Sequence, residues 1–205
     1  MKLKICGMKY PENMKSVAGL QPDYLGFIFY EKSARYFEGE IPKLPENIKK
    51  TGVFVDASVE DIVSKIKTYG LDAVQLHGNE SPGFCEEIRE RSCETELIKV
   101  FSVKDEFDFS VLSPYENVVD YYLFDTKGKL PGGNGYAFNW KLLSDYPSKK
   151  PFFLSGGIGL EHTEKLKQVD PKLPIHAIDV NSKFEIAPGQ KNIEQLKQFI
   201  DKVKI

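Results

Sequence analysis

Apolar runs recur along this chain roughly every 25 residues, and each is followed by a polar or helix-like segment. They fall at 3–6, 24–30, 52–55, 73–76, 96–101, 121–124, 152–154 and 177–180 of 205 residues. The second run, YLGFIFY, is apolar throughout, as a strand covered on both faces must be. Between the runs, 11–20 reads as a helix, and Ser58 is placed to cap another whose Val59, Ile62, Val63 and Ile66 share one face. Ser81 opens a helix running to Arg91, and 161–169 reads as a further one. Residues 192–204 close the chain with Ile193, Leu196, Ile200 and Val203 turned inward. Pro42 and Pro45 predict a short or broken helix over 41–48, and Pro114 a weak one over 104–115. A short helix is predicted at 140–146 with Asn139 as its N-cap. An open doubly wound α/β sheet would show the same alternation, but no GxGxxG follows the first strand. The predicted fold is therefore a single-domain (β/α)₈ TIM barrel, with residues 1–205 forming one catalytic domain.

Charge excludes some partners. Charged residues make up 28% of the chain and the net charge is -2, so neither nucleic acid nor a membrane surface is implied. The opening MKLKICGMKY lacks the apolar core of a secretory signal, and no run approaches the ~20 apolar residues of a membrane span. Cys6, Cys85 and Cys93 are odd in number and have no metal-site spacing. A reduced, cytoplasmic protein without a metal site is the expectation.

Chemistry is expected at the ends of the strands. The run at 121–124 leads to Asp125, and a loop with Gly128, Gly132, Gly133 and Gly135 then follows as a candidate lid. Cys6 ends the first run before Gly7, and at a barrel rim a thiol with its pKa lowered from ~8.5 toward 7 is a usable base or nucleophile. Lys4 shares the strand parity of Cys6 and should point into the barrel, where Asp179 is its predicted partner. Ser155-Gly156-Gly157 and Asn181-Ser182 follow the seventh and eighth strands, the positions where barrels commonly bind phosphate. Arg35 could clamp a carboxylate through two parallel hydrogen bonds. His77 shares the parity of Gln75 and is expected to play a hydrogen-bonded structural role. Each of these residues also has an ordinary reading: filler cysteine, turn aspartate, solvated arginine, simple Gly-Gly turn. Taken singly they leave open another sugar-phosphate barrel, or a barrel that binds a phosphorylated ligand without catalysis.

Taken together, the motifs resemble the phosphoribosylanthranilate isomerase family. KICG at 4–7, GFIFYEKSARY at 26–36, GVFV at 52–55 and VQLHG at 74–78 carry the likeness, with FDTK at 124–127 and GGNGYAFNW at 132–140. LSGGI at 154–158, IDVNS at 178–182 and PGQK at 188–191 complete it, in order along the whole chain. The resemblance implies a (β/α)₈ barrel that needs no cofactor and acts on a small phosphorylated substrate. It converts N-(5-phosphoribosyl)anthranilate to 1-(2-carboxyphenylamino)-1-deoxyribulose 5-phosphate, an Amadori rearrangement in tryptophan biosynthesis. It implies Cys6 as general base, Asp125 as general acid, Arg35 on the anthranilate carboxylate, and Gly156, Gly157, Asn181 and Ser182 on the phosphate. A monomer and a homodimer both fit. Two positions depart from the pattern: Lys183 stands where glycine is usual, and Gly159-Leu160 replaces a residue-proline pair. Lys183 is expected to point to solvent while Val180 and Phe184 anchor the loop.

Overall fold

The computed structural model describes residues 1–126 and 139–204. Eight parallel strands close in chain order: β1 (Lys2–Ile5), β2 (Tyr24–Ile28), β3 (Lys49–Phe54), β4 (Ala73–Leu76), β5 (Glu96–Val103), β6 (Tyr121–Thr126), β7 (Phe152–Leu154) and β8 (Ile175–Val180). β8 pairs back onto β1, which makes the sheet a closed barrel. The expected glycine-rich lid, 127–138, lies outside the described residues. None of the helices among the described residues is long and apolar enough to cross a membrane.

Strand parity sorts the side chains into two cores. Leu3 and Ile5 of β1 face outward into the larger one, while Lys4 between them faces the barrel axis. Tyr24, Ala73, Ile98, Val100, Leu123, Phe153 and Ala177 form a separate cluster inside the barrel. The larger core lies between the sheet and its covering helices α1 (Pro11–Ala18), α2 (Val59–Tyr69), α3 (Pro82–Arg91), α4 (Thr163–Lys167) and α5 (Ile193–Val203). Ser58, Ser81 and Asn192 cap α2, α3 and α5, their side chains accepting the N–H of Asp61, Phe84 and Gln195.

Sequence and structure part on the helical side of the rhythm. No helix forms over 41–48, where Pro42 and Pro45 interrupt the ladder and the chain runs irregularly into β3. The weak segment 104–115 yields a 3₁₀ helix at Phe109–Tyr115, and 140–146 yields another at Trp140–Asp145. The predicted helix over 161–169 divides into a 3₁₀ turn at Leu160–His162 and the short α4. Such turns cover less sheet than α-helices do. Aromatic rings supply the cover instead. Phe107 and Phe152 both meet Phe124 edge-on, with centroids 5.7 and 5.1 Å away. Phe101 meets Tyr115 and Tyr122 at 5.3 and 5.4 Å in the same manner.

The floor of the barrel is a polar cluster at the starts of the strands. The Tyr24 hydroxyl lies 3.2 Å from Glu96 Oε2 and 2.9 Å from His176 Nε2, and Lys49 pairs with Glu96. Burial, reinforced by Lys2, pushes the His176 pKa down to about 4. The folded protein therefore keeps this ring neutral over a range in which the unfolded chain, with its ordinary value of 6.5, takes up a proton. Its contribution to stability is complete above about pH 6.5 and is lost progressively toward pH 4. His176→Gln should remove that part of the slope. Urea midpoints of the two proteins should move closer together, or cross, between pH 7 and pH 5; parallel lines would show that His176 does not titrate differently on folding.

Candidate active site

At the other end of the barrel, the carboxyl ends of the strands surround a pocket of about 690 Å³, counting its open mouth. Cys6, Arg35, Asp125, Gly156, Gly157, Asn181 and Ser182 all border it, so every site residue predicted from the sequence converges on one place. Gln75, His77, Ser155, Asp179 and Lys183 border it as well.

Cys6 follows directly on β1 and is buried. Room for its sulfur comes from β2, because a Cβ at Gly26 would stand 2.7 Å from Cys6 Sγ. The next residue, Gly7, turns the chain in the left-handed region at φ +76°. A Cβ at Gly7 would stand 2.7 Å from Asn181 Oδ1 and 2.9 Å from Arg35 Cδ, so glycine allows three loops to meet here.

Below Cys6, Lys4 Nζ donates to Asp179 Oδ1 at 2.9 Å, the partnership that strand parity predicts. Burial opposes the Lys4 charge, but Asp179 and Cys6 outweigh it and hold the Lys4 pKa above its usual value. The thiol behaves differently from the sequence expectation. Burial pushes the Cys6 pKa up rather than toward 7, and the nearby Lys4 ammonium pulls only partly against that rise. A thiol at a barrel rim is thus not automatically an exposed one.

Asp125 lies across the pocket on β6 and is buried. Its Oδ1 accepts the Thr126 N–H at 2.9 Å, and its Oδ2 lies 3.4 Å from His77 Nε2. His77 Nδ1 is in turn 3.2 Å from Gln75 Nε2. His77 is therefore hydrogen-bonded, as expected, but it also faces the carboxylate that the sequence singled out. The loop carrying it is held firmly: Glu80 accepts the N–H of Gly78 and Asp56 and pairs with buried Lys99 at 2.9 Å. Gln75 Oε1 has no hydrogen-bond partner among the described residues, which leaves an unsatisfied acceptor in a side chain bordering the pocket.

The two loops expected to hold phosphate border the same pocket. Gly156 adopts φ +93° after β7, and a 3₁₀ turn at Ser182–Phe184 follows Asn181. Val180 and Phe184 are buried on either side, as expected of anchors. Lys183 is not simply solvated. Its Nζ pairs with Glu161 at 3.0 Å, linking the loops after β7 and β8 beside the pocket. Arg35 does clamp a carboxylate, but one from its own chain: Glu185, on the hairpin β9 (Glu185–Ala187) and β10 (Gln190–Lys191). Sequence reasoning missed Glu185 and its partner Lys191. PGQK ends on that lysine, and nothing in the spacing ties it to Arg35. Among the described residues, no group of three or more His, Cys, Asp or Glu side chains is arranged to hold a metal ion.

Residues 3–202 match the family described as N-(5'phosphoribosyl)anthranilate (PRA) isomerase. The chain belongs to the phosphoribosylanthranilate isomerase family. It is 43% identical to the N-(5'-phosphoribosyl)anthranilate isomerase of Parabacteroides distasonis, over 99% of this chain and 93% of that one. It is 40% identical to the enzyme of the same name from Phocaeicola vulgatus, over 100% and 98% of the two chains. Among solved structures, phosphoribosyl anthranilate isomerase from Thermus thermophilus superposes with a TM-score of 0.85 at 26% identity, covering 100% of this chain and 98% of that one. A phosphoribosyl anthranilate isomerase in complex with reduced 1-(o-carboxyphenylamino)-1-deoxyribulose 5-phosphate gives 0.79 at 30% identity, with the same coverage.

The raised thiol can be tested directly. Alkylation of Cys6 by iodoacetamide, followed by mass spectrometry of its peptide, should titrate with a midpoint above that of an ordinary exposed thiol. Lys4→Met should move that midpoint higher still, because it removes the charge that favours the thiolate. A midpoint below 8 in the parent protein would contradict the assigned balance of burial and charge.

Proposed function

We propose that this isomerase rearranges N-(5-phosphoribosyl)anthranilate with Cys6 as general base and Asp125 as general acid. Family membership supports the activity, a step of tryptophan biosynthesis. The residue roles rest on one observation: a buried thiol and a buried carboxyl border the same pocket, at the ends of strands on different sides of the barrel.

The reaction needs two proton transfers on one small molecule. Asp125 gives a proton to the furanose ring oxygen, the ring C–O bond breaks, and a Schiff base forms with the aromatic nitrogen. Cys6, as thiolate, removes the proton from the neighbouring C2. The resulting enolamine tautomerises to the ketone, so the net change is isomerisation without gain or loss of atoms. Each well-placed acid or base typically contributes 10²–10⁴-fold. Lys4 offsets part of the burial penalty on the thiolate, and His77 faces the carboxyl that must cycle its proton.

The remaining residues orient the molecule. Gly156, Gly157, Asn181 and Ser182 take the phosphate, where backbone N–H groups and small polar side chains suit a dianion. Arg35 takes the anthranilate carboxylate. Holding the substrate at both ends brings C2 and the ring oxygen toward the groups that act on them.

The activity is read as loss of phosphoribosylanthranilate fluorescence, with the substrate made freshly from anthranilate and phosphoribosyl pyrophosphate. Cys6→Ser and Asp125→Asn should each lower kcat by about 10²–10⁴-fold and shift KM far less. Both groups act on charge that develops only in the transition state, so ground-state binding survives their loss. A serine hydroxyl keeps the shape but titrates far too high to act as the base. Near-normal kcat in Cys6→Ser would reduce Cys6 to packing.

A further inference from the structure

Behind the pocket wall, the β9–β10 hairpin carries a buried ion pair that touches Arg35 and Asn181, the residues proposed to hold the two ends of the substrate. The Glu185 carboxylate accepts from Arg35 Nε at 2.9 Å and Nη2 at 2.7 Å, from the Gly189 N–H at 3.0 Å and from Lys191 Nζ at 2.8 Å. Lys191 Nζ also donates to Asn181 Oδ1 at 2.7 Å. The Lys191 side chain is fully buried and that of Glu185 is 5% exposed. Asn13 of α1 fixes the lysine's backbone from both directions, donating to its carbonyl at 2.9 Å and accepting its N–H at 2.7 Å.

A guanidinium has two edges that can each take a carboxylate. Glu185 occupies the Nε/Nη2 edge of Arg35, and Nη1 makes no hydrogen bond among the described residues. Arg35 itself borders the pocket. Charge points the same way. With only Arg35 and Glu185 present, the pair would be neutral and would offer a second carboxylate little attraction. Lys191 sets a second cationic group against Glu185; burial pushes its pKa down and Glu185 offsets part of that, so the group carries more positive charge than Arg35 and Glu185 alone.

We propose that Glu185, backed by Lys191, is a positioning residue that aims the free edge of Arg35 at the substrate's aromatic carboxylate. This rests on the reading of Arg35 as the carboxylate-binding residue. The same lysine holds Asn181, so the hairpin sets the spacing between the carboxylate and phosphate subsites. Lysine in place of Arg35 could not serve, because a single ammonium lacks the second planar edge.

Two stable probes separate this role from general support of the fold. One is the reduced product, reduced 1-(o-carboxyphenylamino)-1-deoxyribulose 5-phosphate; the other is its counterpart lacking the ring carboxylate. Calorimetric dissociation constants should show the parent enzyme preferring the carboxylated probe by about tenfold or more. Glu185→Gln should bring that ratio close to one while moving the carboxylate-free probe less than about threefold. In an Arg35→Met background the ratio should already be near one, and adding Glu185→Gln should leave it there. If Arg35→Met abolishes the preference but Glu185→Gln keeps it, the positioning role is wrong and the Arg35 assignment stands. If Glu185→Gln weakens both probes equally, Glu185 only supports the fold, which also overturns the proposal. If Arg35→Met keeps the preference, the assignment of Arg35 fails and takes the proposal with it. Should Glu185→Gln not fold, Glu185→Asp keeps the charge but shortens the arm. It should cut the ratio at least about threefold, and an unchanged ratio overturns the proposal.

Discussion

A charged side chain inside a narrow barrel has no water to turn to, and Lys4 is such a side chain. Its ammonium is fully buried, and Asp179 on the neighbouring strand answers it. Breaking a pair of this kind by removing one partner typically costs about 3–5 kcal/mol, because the other charge is stranded. The pair joins β1 to β8, the seam at which the sheet closes. It also sits directly beneath Cys6, so one interaction both locks the barrel shut and sets the field at the thiol. The site rests on the closure of the sheet.

Much of this architecture was legible in the residues. Strands buried on both faces read as continuous apolar runs, and β4 and β7 fall where those runs fall. Ser58 and Ser81 marked the starts of α2 and α3, because a hydroxyl that satisfies a free N–H is a local requirement. The shared position of Cys6, Asp125, Arg35 and the loops after β7 and β8 was legible too, as residues at strand ends in a barrel all reach one rim.

What stayed hidden depends on contacts between distant parts of the chain. Arg35 and Glu185 are separated by 150 positions, and a bidentate pair leaves no periodic trace. The direction of the Cys6 shift follows from how deeply neighbouring strands bury the sulfur, which Gly26 decides from across the β1–β2 seam. The segments after β5 and β6 read only as a weak and a short helix, and their 3₁₀ form leaves no trace in the sequence for a related reason. Their cover comes from rings packed edge to face, and aromatic side chains carry no 3.6-residue signature when they are spread over several elements.

That aromatic cover has a consequence for how the sequence can drift. Where α2, α3 and α5 cover the sheet, outward-facing helix positions touch solvent and can exchange independently. On the side wrapped by 3₁₀ turns, Phe124 alone is shared among Phe107, Phe109, Tyr146 and Phe152. A change in the size of any one ring alters the seat of the others, so substitutions there must arrive in compensating sets. Homologues that differ in this half should differ at several of these positions at once, and chimeras cut between β5 and β7 should fare worse than chimeras cut between β2 and β4.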